Sequence, residues 1–246
     1  MERLSKEAFY TGYVFPGPRD EYRNRYGYRT IYFGKNMIPW LLLDCDEEAV
    51  LIGRDKEKAL LLSKHSLCNM QHYEEPFLEE MDWMDSKIRL WLNNEFLEEN
   101  FDEADQSAIL RTSISTTAQW HSLEGAKTDT KWEVDDKLFL LSEAELNKYF
   151  PGFGNRLFRR VAKGNRVEKS HVWGNRAWWL RDRGGTPHDA KYVNTKGQIK
   201  EMNAAGKRFY EGCMIEKYIS VRPAMWVSIE ALLNNPNVFI DSEEKD

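Results

Sequence analysis

Two arginines stand beside tryptophans in runs that read as strands: Arg181 in VWGNRAWWLR and Arg222 in ISVRPAMWV. A guanidinium next to an indole can stack on the ring and form a bidentate pair with a carboxylate. That chemistry has two uses. The first locks the terminal strands to the core through an Asp or Glu from the long loops; the second recognises an acidic ligand. We expect the first, with Trp91, Trp178, Trp179 and Trp226 completing the same structural core. The five histidines offer bases and metal ligands, yet His65 and His72 are seven apart and His188 follows Pro187, and no HExxH or HxH occurs. No metal or cofactor is therefore expected. Three scattered cysteines, Cys45, Cys68 and Cys213, form no CxxC and read as reduced, partly buried thiols.

Other groups with chemical potential have simpler uses. Gly184-Gly185 could bind an anion through backbone N–H groups, although a tight reversal is the commoner role. Arg156, Arg159, Arg160, Lys163, Arg166 and Lys169 make Gly154–His171 basic, which suits a solvated loop or an anion-binding patch. Asp135-Asp136 and Glu79-Glu80 read as solvated loop charge. Nucleophile-elbow, phosphate-loop and dinucleotide fingerprints are absent from the sequence.

The elements that must position these groups can be read in chain order. A chain of 246 residues can bury a large core, here rich in rings, with nine tryptophans. A net charge of −5 with mixed signs argues against nucleic-acid binding, and no apolar run reaches membrane-spanning length. The charged start, MERLSKEAFY, lacks the apolar stretch of a secretory signal, so cytoplasmic residence is expected. Residues 1–28 read as an arm lying on its own domain or a neighbouring subunit, a route to homo-oligomers. Arg29–Phe33, Ile38–Leu43, Ala49–Ile52 and Ala59–Leu62 have hairpin spacing and form an antiparallel sheet, with Pro39 at an edge or a strand start.

Asp85 is the expected cap of a helix whose Ile88, Trp91, Leu92 and Phe96 share one face. Asp102 or Asp105 caps a second helix that buries Ala104, Ala108 and Ile109. Thr112–Lys131 is aperiodic and reads as a loop that can include a hairpin, and Lys137–Leu141 as a buried strand. Ser142 and Glu145 form a capping box, and Pro151-Gly152 ends that helix. Ala177–Arg181, Lys191–Asn194, Ile199–Met202 and Ile219–Ile229 read as strands, with Asn194–Gly197 a hairpin turn. Residues 231–246 form an acidic C-terminal tail, of which Asn234–Asp246 is expected to fray.

Taken in order, IYFGKNMIPWLLL, ALLLSKHSL, DSKIRLWLNNEF, KLFLLSEAEL, WWLRD and SVRPAMWV resemble an uncharacterised bacterial family, a domain of unknown function, over about residues 29–230. The closing pattern is also similar to the C-type-lectin-like fold, which includes formylglycine-generating-enzyme type domains. The resemblance implies an α+β domain, with two main helices packed on a twisted antiparallel sheet and a loop-rich C-terminal half. The chain departs from that group in three ways. It has no Glu-Pro-Asn, Gln-Pro-Asp or Trp-Asn-Asp triplet for a calcium-dependent sugar site, and no cysteine pair for oxidase chemistry. Asp182 and Arg183 follow WWLR where Ser-Pro is usual.

We expect one domain over 29–230 acting as a non-catalytic module for a protein, peptide or glycan ligand. Its ligand face would use the loops Ser170–Asn175, Asp182–Lys191 and Asn203–Gly212, with His171, Trp173, Asn175, Arg183, His188, Arg208 and Tyr210 as contact residues. Two alternatives stand beside it. One is an enzyme using His171 or His188 as base, with the Arg156–Arg166 cluster holding an anionic substrate. The other is a structural subunit assembled through the arm and the acidic tail.

Overall fold

The computed structural model describes residues 1–6, 9, 29–45, 58–74, 81–121, 127–150, 162–164, 175–210, 213–216 and 219–240. The expected strand at 49–52, most of the arm and nearly all of the basic run 154–171 lie outside the described residues. The architecture is α+β and mostly sheet. The chain divides into two compact units. One holds residues 1–64, 95–111 and 224–246, and the other 65–94 and 112–223.

The first unit is built on one antiparallel sheet in the order β1-β16-β2-β3-β4-β15. Its strands are β1 (Glu2–Arg3), β2 (Thr30–Phe33), β3 (Ile38–Cys45), β4 (Lys58–Ser63), β15 (Ala224–Ser228) and β16 (Phe239–Ile240). Apolar β-branched and leucine runs suit strands buried on both faces: in β4, Ala59 to Leu62 are all buried. Pro39 sits at the start of β3, where a missing N–H costs little, opposite Tyr32. The β2–β3 turn depends on Gly34, whose φ is +92° and whose notional Cβ would come 2.8 Å from the Asn100 carbonyl oxygen. Close approach there lets Lys35 N–H donate to that same oxygen at 2.8 Å. Phe101 gathers the rings of Phe33, Trp40 and Phe96 around it, with centroids 5.3–6.2 Å away.

The short helices of this unit are α2 (Glu95–Asn100), α3 (Glu103–Ala108) and α5 (Ile229–Asn234). Asp102 caps α3 in a reciprocal box with Asp105, while Ala104, expected to be buried, is exposed in the first turn. At the chain ends, Glu2–Arg3 pair with Phe239–Ile240, and Leu4, Val238 and Ile240 are buried. Residues 229–240 are therefore ordered as a helix and a strand, because their apolar side chains are covered.

The second unit contains α1 (Lys87–Asn93), α4 (Glu143–Tyr149) and four smaller sheets. A three-stranded sheet joins β10 (Trp178–Arg183), β11 (Asp189–Val193) and β12 (Ile199–Asn203). A long ribbon joins β6 (Thr112–His121) and β7 (Lys127–Asp136), and β5 (His65–Ser66), β8 (Ala162–Gly164) and β9 (Asn175–Arg176) form a third group. β13 (Lys207–Tyr210) and β14 (Cys213–Glu216) make the last pair. Asn194 builds the expected turn between β11 and β12, its Oδ1 accepting from Lys196 N–H and Gln198 N–H, with Gly197 at φ +80°.

Several expectations change or sharpen here. The helix expected through Phe96 stops at Asn93, with Asn94 at φ −121° and ψ −92°, so the apolar stripe is split between two helices. Its N-cap position is Ser86 rather than Asp85, and the Ser86 hydroxyl turns instead to the buried His72 ring, 2.8 Å from Nδ1. Thr112–His121 and Lys127–Asp136 pair as the β6–β7 ribbon, because Ser and Thr suit a pleat as well as a loop. Leu138–Leu141 is buried but belongs to no named strand among the described residues, with a bridge at Phe139, and the Asn93 amide holds its start. Asn93 Oδ1 accepts from Lys137 N–H at 2.9 Å and Leu138 N–H at 3.1 Å, and its Nδ2 donates to the Leu138 carbonyl at 2.8 Å. Similarly, Ile219–Ile229 is not one strand: Ser220 bridges Asn69 and Trp178, and the ladder β15 begins only after Pro223.

Candidate functional site

The core of the second unit fixes β10 from beneath. Trp178 and Trp179 are fully buried. Trp179 Nε1 donates to the Met70 carbonyl at 2.9 Å, and its N–H to the Ser220 carbonyl at 3.0 Å. Arg222, 1% exposed, lies 4.9 Å over the Trp178 ring and 6.0 Å from that of Phe150, and burial pushes its guanidinium down to about 9. Removing such rings from water contributes on the order of 4–6 kcal/mol each at about 25 cal/mol per Å². Trp91 and Trp226 are only half-buried; Trp226 instead carries Lys58 Nζ 4.8 Å above its ring.

Arg181 leaves this core and ends against α4. Its Nη1 and Nη2 donate to the two Glu145 carboxylate oxygens at 2.5 and 3.0 Å, and Nη1 also donates to the Leu140 carbonyl at 2.7 Å. The same Glu145 accepts the Ser142 N–H at 2.8 Å, so one carboxylate caps α4 and clamps β10. The carboxylate partner is thus the capping glutamate rather than a loop residue. In the next position, Asp182 Oδ2 accepts the Glu143 N–H at 2.5 Å. Across the ladder, Lys191 Nζ donates to Glu143 Oε2 at 2.5 Å.

Beside this network lies a half-open cleft of about 400 Å³. Its walls are residues 81–83 from the turn before α1, Ser115 from β6, residues 181–185 from β10 and its turn, Lys191 from β11 and Glu201 from β12. The turn is tight: Gly184 N–H donates to the Asp189 carbonyl at 2.7 Å, and a Cβ on Gly184 would sit 2.7 Å from that of Asp189. Gly185 N–H donates to Glu201 Oε2 at 2.9 Å. Trp83 turns its Nε1 to Asp136 Oδ2 at 2.8 Å, and Arg89 Nε donates to Asp136 Oδ1 at 2.8 Å.

Burial sets the electrostatics of these walls. It pushes the Asp182 carboxyl above the usual carboxylate range, against the opposing pull of the Glu143 N–H, Arg181 and Lys191. Burial also raises Asp136, partly offset by the Trp83 and Arg89 donors. For Lys191, burial works against the ammonium, but the Glu143 hydrogen bond and charge, with Asp182 and Glu201, outweigh it and hold its pKa up.

The residues anticipated for a ligand face are dispersed. Arg183 lines the cleft, and His188 lies in the turn that precedes β11. Asn175 opens β9, while Arg208 and Tyr210 belong to β13. His171 and Trp173 lie outside the described residues. Five cleft residues nevertheless come from the stretch 182–191 that the sequence marked as a loop. Asp82, Trp83 and Glu201 were not anticipated. Register could have found Glu201, since it stands opposite Lys191 on the same face. Asp82 and Trp83 reach the cleft by tertiary packing, which carries no local signal.

Among the described residues no group of three or more His, Cys, Asp or Glu is placed to hold a metal ion. Among the described residues, too, no helix is long and apolar enough to cross a membrane. Comparison with curated proteins and with solved structures yields no significant match. The family model Domain of unknown function (DUF6273) matches residues 56–229, most of the chain, and the protein belongs to that family.

Proposed function

We propose that the chain is a non-catalytic ligand-binding module whose site is the cleft at the β10–β11 turn. The observation that carries this reading is a polar cavity whose walls are pre-set by ion pairs and backbone hydrogen bonds. Holding recognition groups before the ligand arrives lowers the entropic cost of binding. Peptide, protein and glycan ligands all fit that chemistry, and the C-type-lectin-like fold and cytoplasmic residence belong to the same reading. Support for the fold comes from the closing motif and from the antiparallel β10-β11-β12 sheet. The enzymatic alternative needs His171 or His188 at the cavity; among the described residues His188 does not line it, and His171 lies outside them.

An array of peptides, proteins and glycans tests the proposal, followed by NMR mapping of each hit on the full chain. Hits that shift the Gly184 and Gly185 amides support it. A silent array, or hits that map only elsewhere, would sink it.

A further inference from the structure

Building on that reading, we infer that the cleft takes a neutral, hydroxyl-rich ligand, a sugar ring, in preference to an ion or a peptide. Charge is the first observation. Asp82, Asp182 and Glu201 line the cleft against Arg181, Arg183 and Lys191, three of each sign. Each is already held within the chain. Glu145 holds Arg181 and Glu143 holds Lys191, while the N–H groups of Glu143, Gly185 and Met84 donate to Asp182, Glu201 and Asp82. Arg183 likewise has an internal partner. A ligand of either sign would upset that balance, whereas a neutral one adds hydrogen bonds and leaves every charge compensated.

Hydrogen-bonding capacity is left over on both sides. A lysine ammonium has three donors, and Lys191 Nζ directs one of them to Glu143. A carboxylate has about four lone-pair sites, and Asp182 and Glu201 each accept one backbone N–H, at Oδ2 and Oε2. Lys191 and Glu201 stand opposite each other in the β11–β12 ladder, so donor and acceptor are neighbours. A hydroxyl both donates and accepts, and can therefore take a bond from the ammonium and give one to the carboxylate. Bonds to charged groups are the stronger kind.

The usual handles for a peptide are missing. Strand addition needs open backbone N–H groups, but those of Met81, Arg181, Gly184 and Gly185 donate to Pro187, Leu141, Asp189 and Glu201. The two large apolar side chains of the lining, Met81 and Trp83, are 2% and 1% exposed, so no socket receives an aromatic or aliphatic anchor. The cleft volume of about 400 Å³ lies at the small end of the roughly 300–1,000 Å³ usual for small-molecule sites.

Sugars matched in shape but not in charge test this, by isothermal titration and NMR of the full chain. The neutral probes are glucose, galactose, mannose, N-acetylglucosamine and lactose. Glucosamine and glucuronate carry a positive and a negative charge, and acetyl-triglycine-amide is the peptide control. We expect at least one neutral sugar to bind saturably and shift the Gly184 and Gly185 amides, about tenfold tighter than any charged sugar or the peptide. Tighter binding of lactose than of galactose and glucose points to a glycan end, and the reverse to a free monosaccharide. Glu201→Gln keeps an amide oxygen for Gly185 but makes the lining net positive; it should weaken the neutral sugar about fivefold and improve glucuronate. Lys191→Gln should weaken it similarly and improve glucosamine. The wild-type series decides by itself should a variant not fold. Equal binding of neutral and charged sugars, no neutral sugar bound, or variants that leave the charge preference unchanged overturns the inference. A charged or peptide probe that alone shifts the Gly184 and Gly185 amides overturns it too, yet leaves the binding-module reading intact.

Discussion

His72 gives the most quantitative handle on this structure. Its ring is fully buried, set edge-on to Trp179 with centroids 5.0 Å apart and to Trp83 at 6.4 Å, and Nδ1 meets the Ser86 hydroxyl at 2.8 Å. Burial lowers its pKa from 6.5 to about 3, with a smaller opposing effect from the Leu180 backbone. The folded state therefore keeps the imidazole neutral where the unfolded chain protonates it. Because the unfolded state binds more protons, this contribution is complete above pH 6.5 and is lost as pH falls toward 3. At about 1.4 kcal/mol per pH unit the whole window withdraws about 5 kcal/mol, and the step from pH 7 to pH 5 about 2 kcal/mol. Buried carboxyls with raised pKa values, Asp136 and Asp182, act in the opposite direction, so the useful quantity is a difference. Urea unfolding of the wild type and His72→Gln at pH 7, 6 and 5 provides it. The wild type should lose about 2 kcal/mol more than the variant over that range. Parallel stability curves would refute the reasoning. Should the variant not fold, an NMR titration of the wild-type ring decides: a midpoint near 6.5 defeats the account.

The other predictions concern the supports of the site. Arg181→Ala should destabilise by about 2 kcal/mol, and a double-mutant cycle with Glu145→Ala should return at least about 1 kcal/mol of coupling, read by denaturant unfolding. Full retention of melting temperature by both Arg181→Ala and Arg222→Ala would end the structural account of these arginines. Asn93→Ala strips three hydrogen bonds from the 137–138 backbone and should cost about 2 kcal/mol, with loss of hydrogen-exchange protection confined to Leu138 N–H and its neighbours. Gly34→Ala meets both a positive φ and the Asn100 carbonyl, and should cost about 1–3 kcal/mol by thermal melting. An unchanged melting temperature would show that the turn relaxes freely.

Local chemistry is strong enough to be read wherever a residue answers to its immediate neighbours. The capping box of Ser142 with Glu145, a cap at Asp102, the Asn194–Gly197 turn, and the short apolar strands at 30–33 and 59–62 are of this kind. Each depends on a spacing of two to four residues, and propensity and pattern act at that range. Arg181 shows the next level: its need for a carboxylate was legible beside the tryptophans, but not that Glu145, already committed to a cap, would supply it 36 residues away.

Tertiary structure decided the rest, because long-range partners can substitute for local ones. Asn93 reaches across 44 residues to bind the start of a buried apolar run that pattern alone reads as a full strand. His72 draws the Ser86 hydroxyl from the cap position, so α1 begins without a side-chain cap and Lys87 N–H goes to the His72 carbonyl. The cleft is assembled from turns, strand ends and facing strands separated by up to 120 positions (Met81 to Glu201), and only packing brings their carboxylates together. Composition supplied the charged groups; which partners they take is a property of the folded hydrogen-bond network alone.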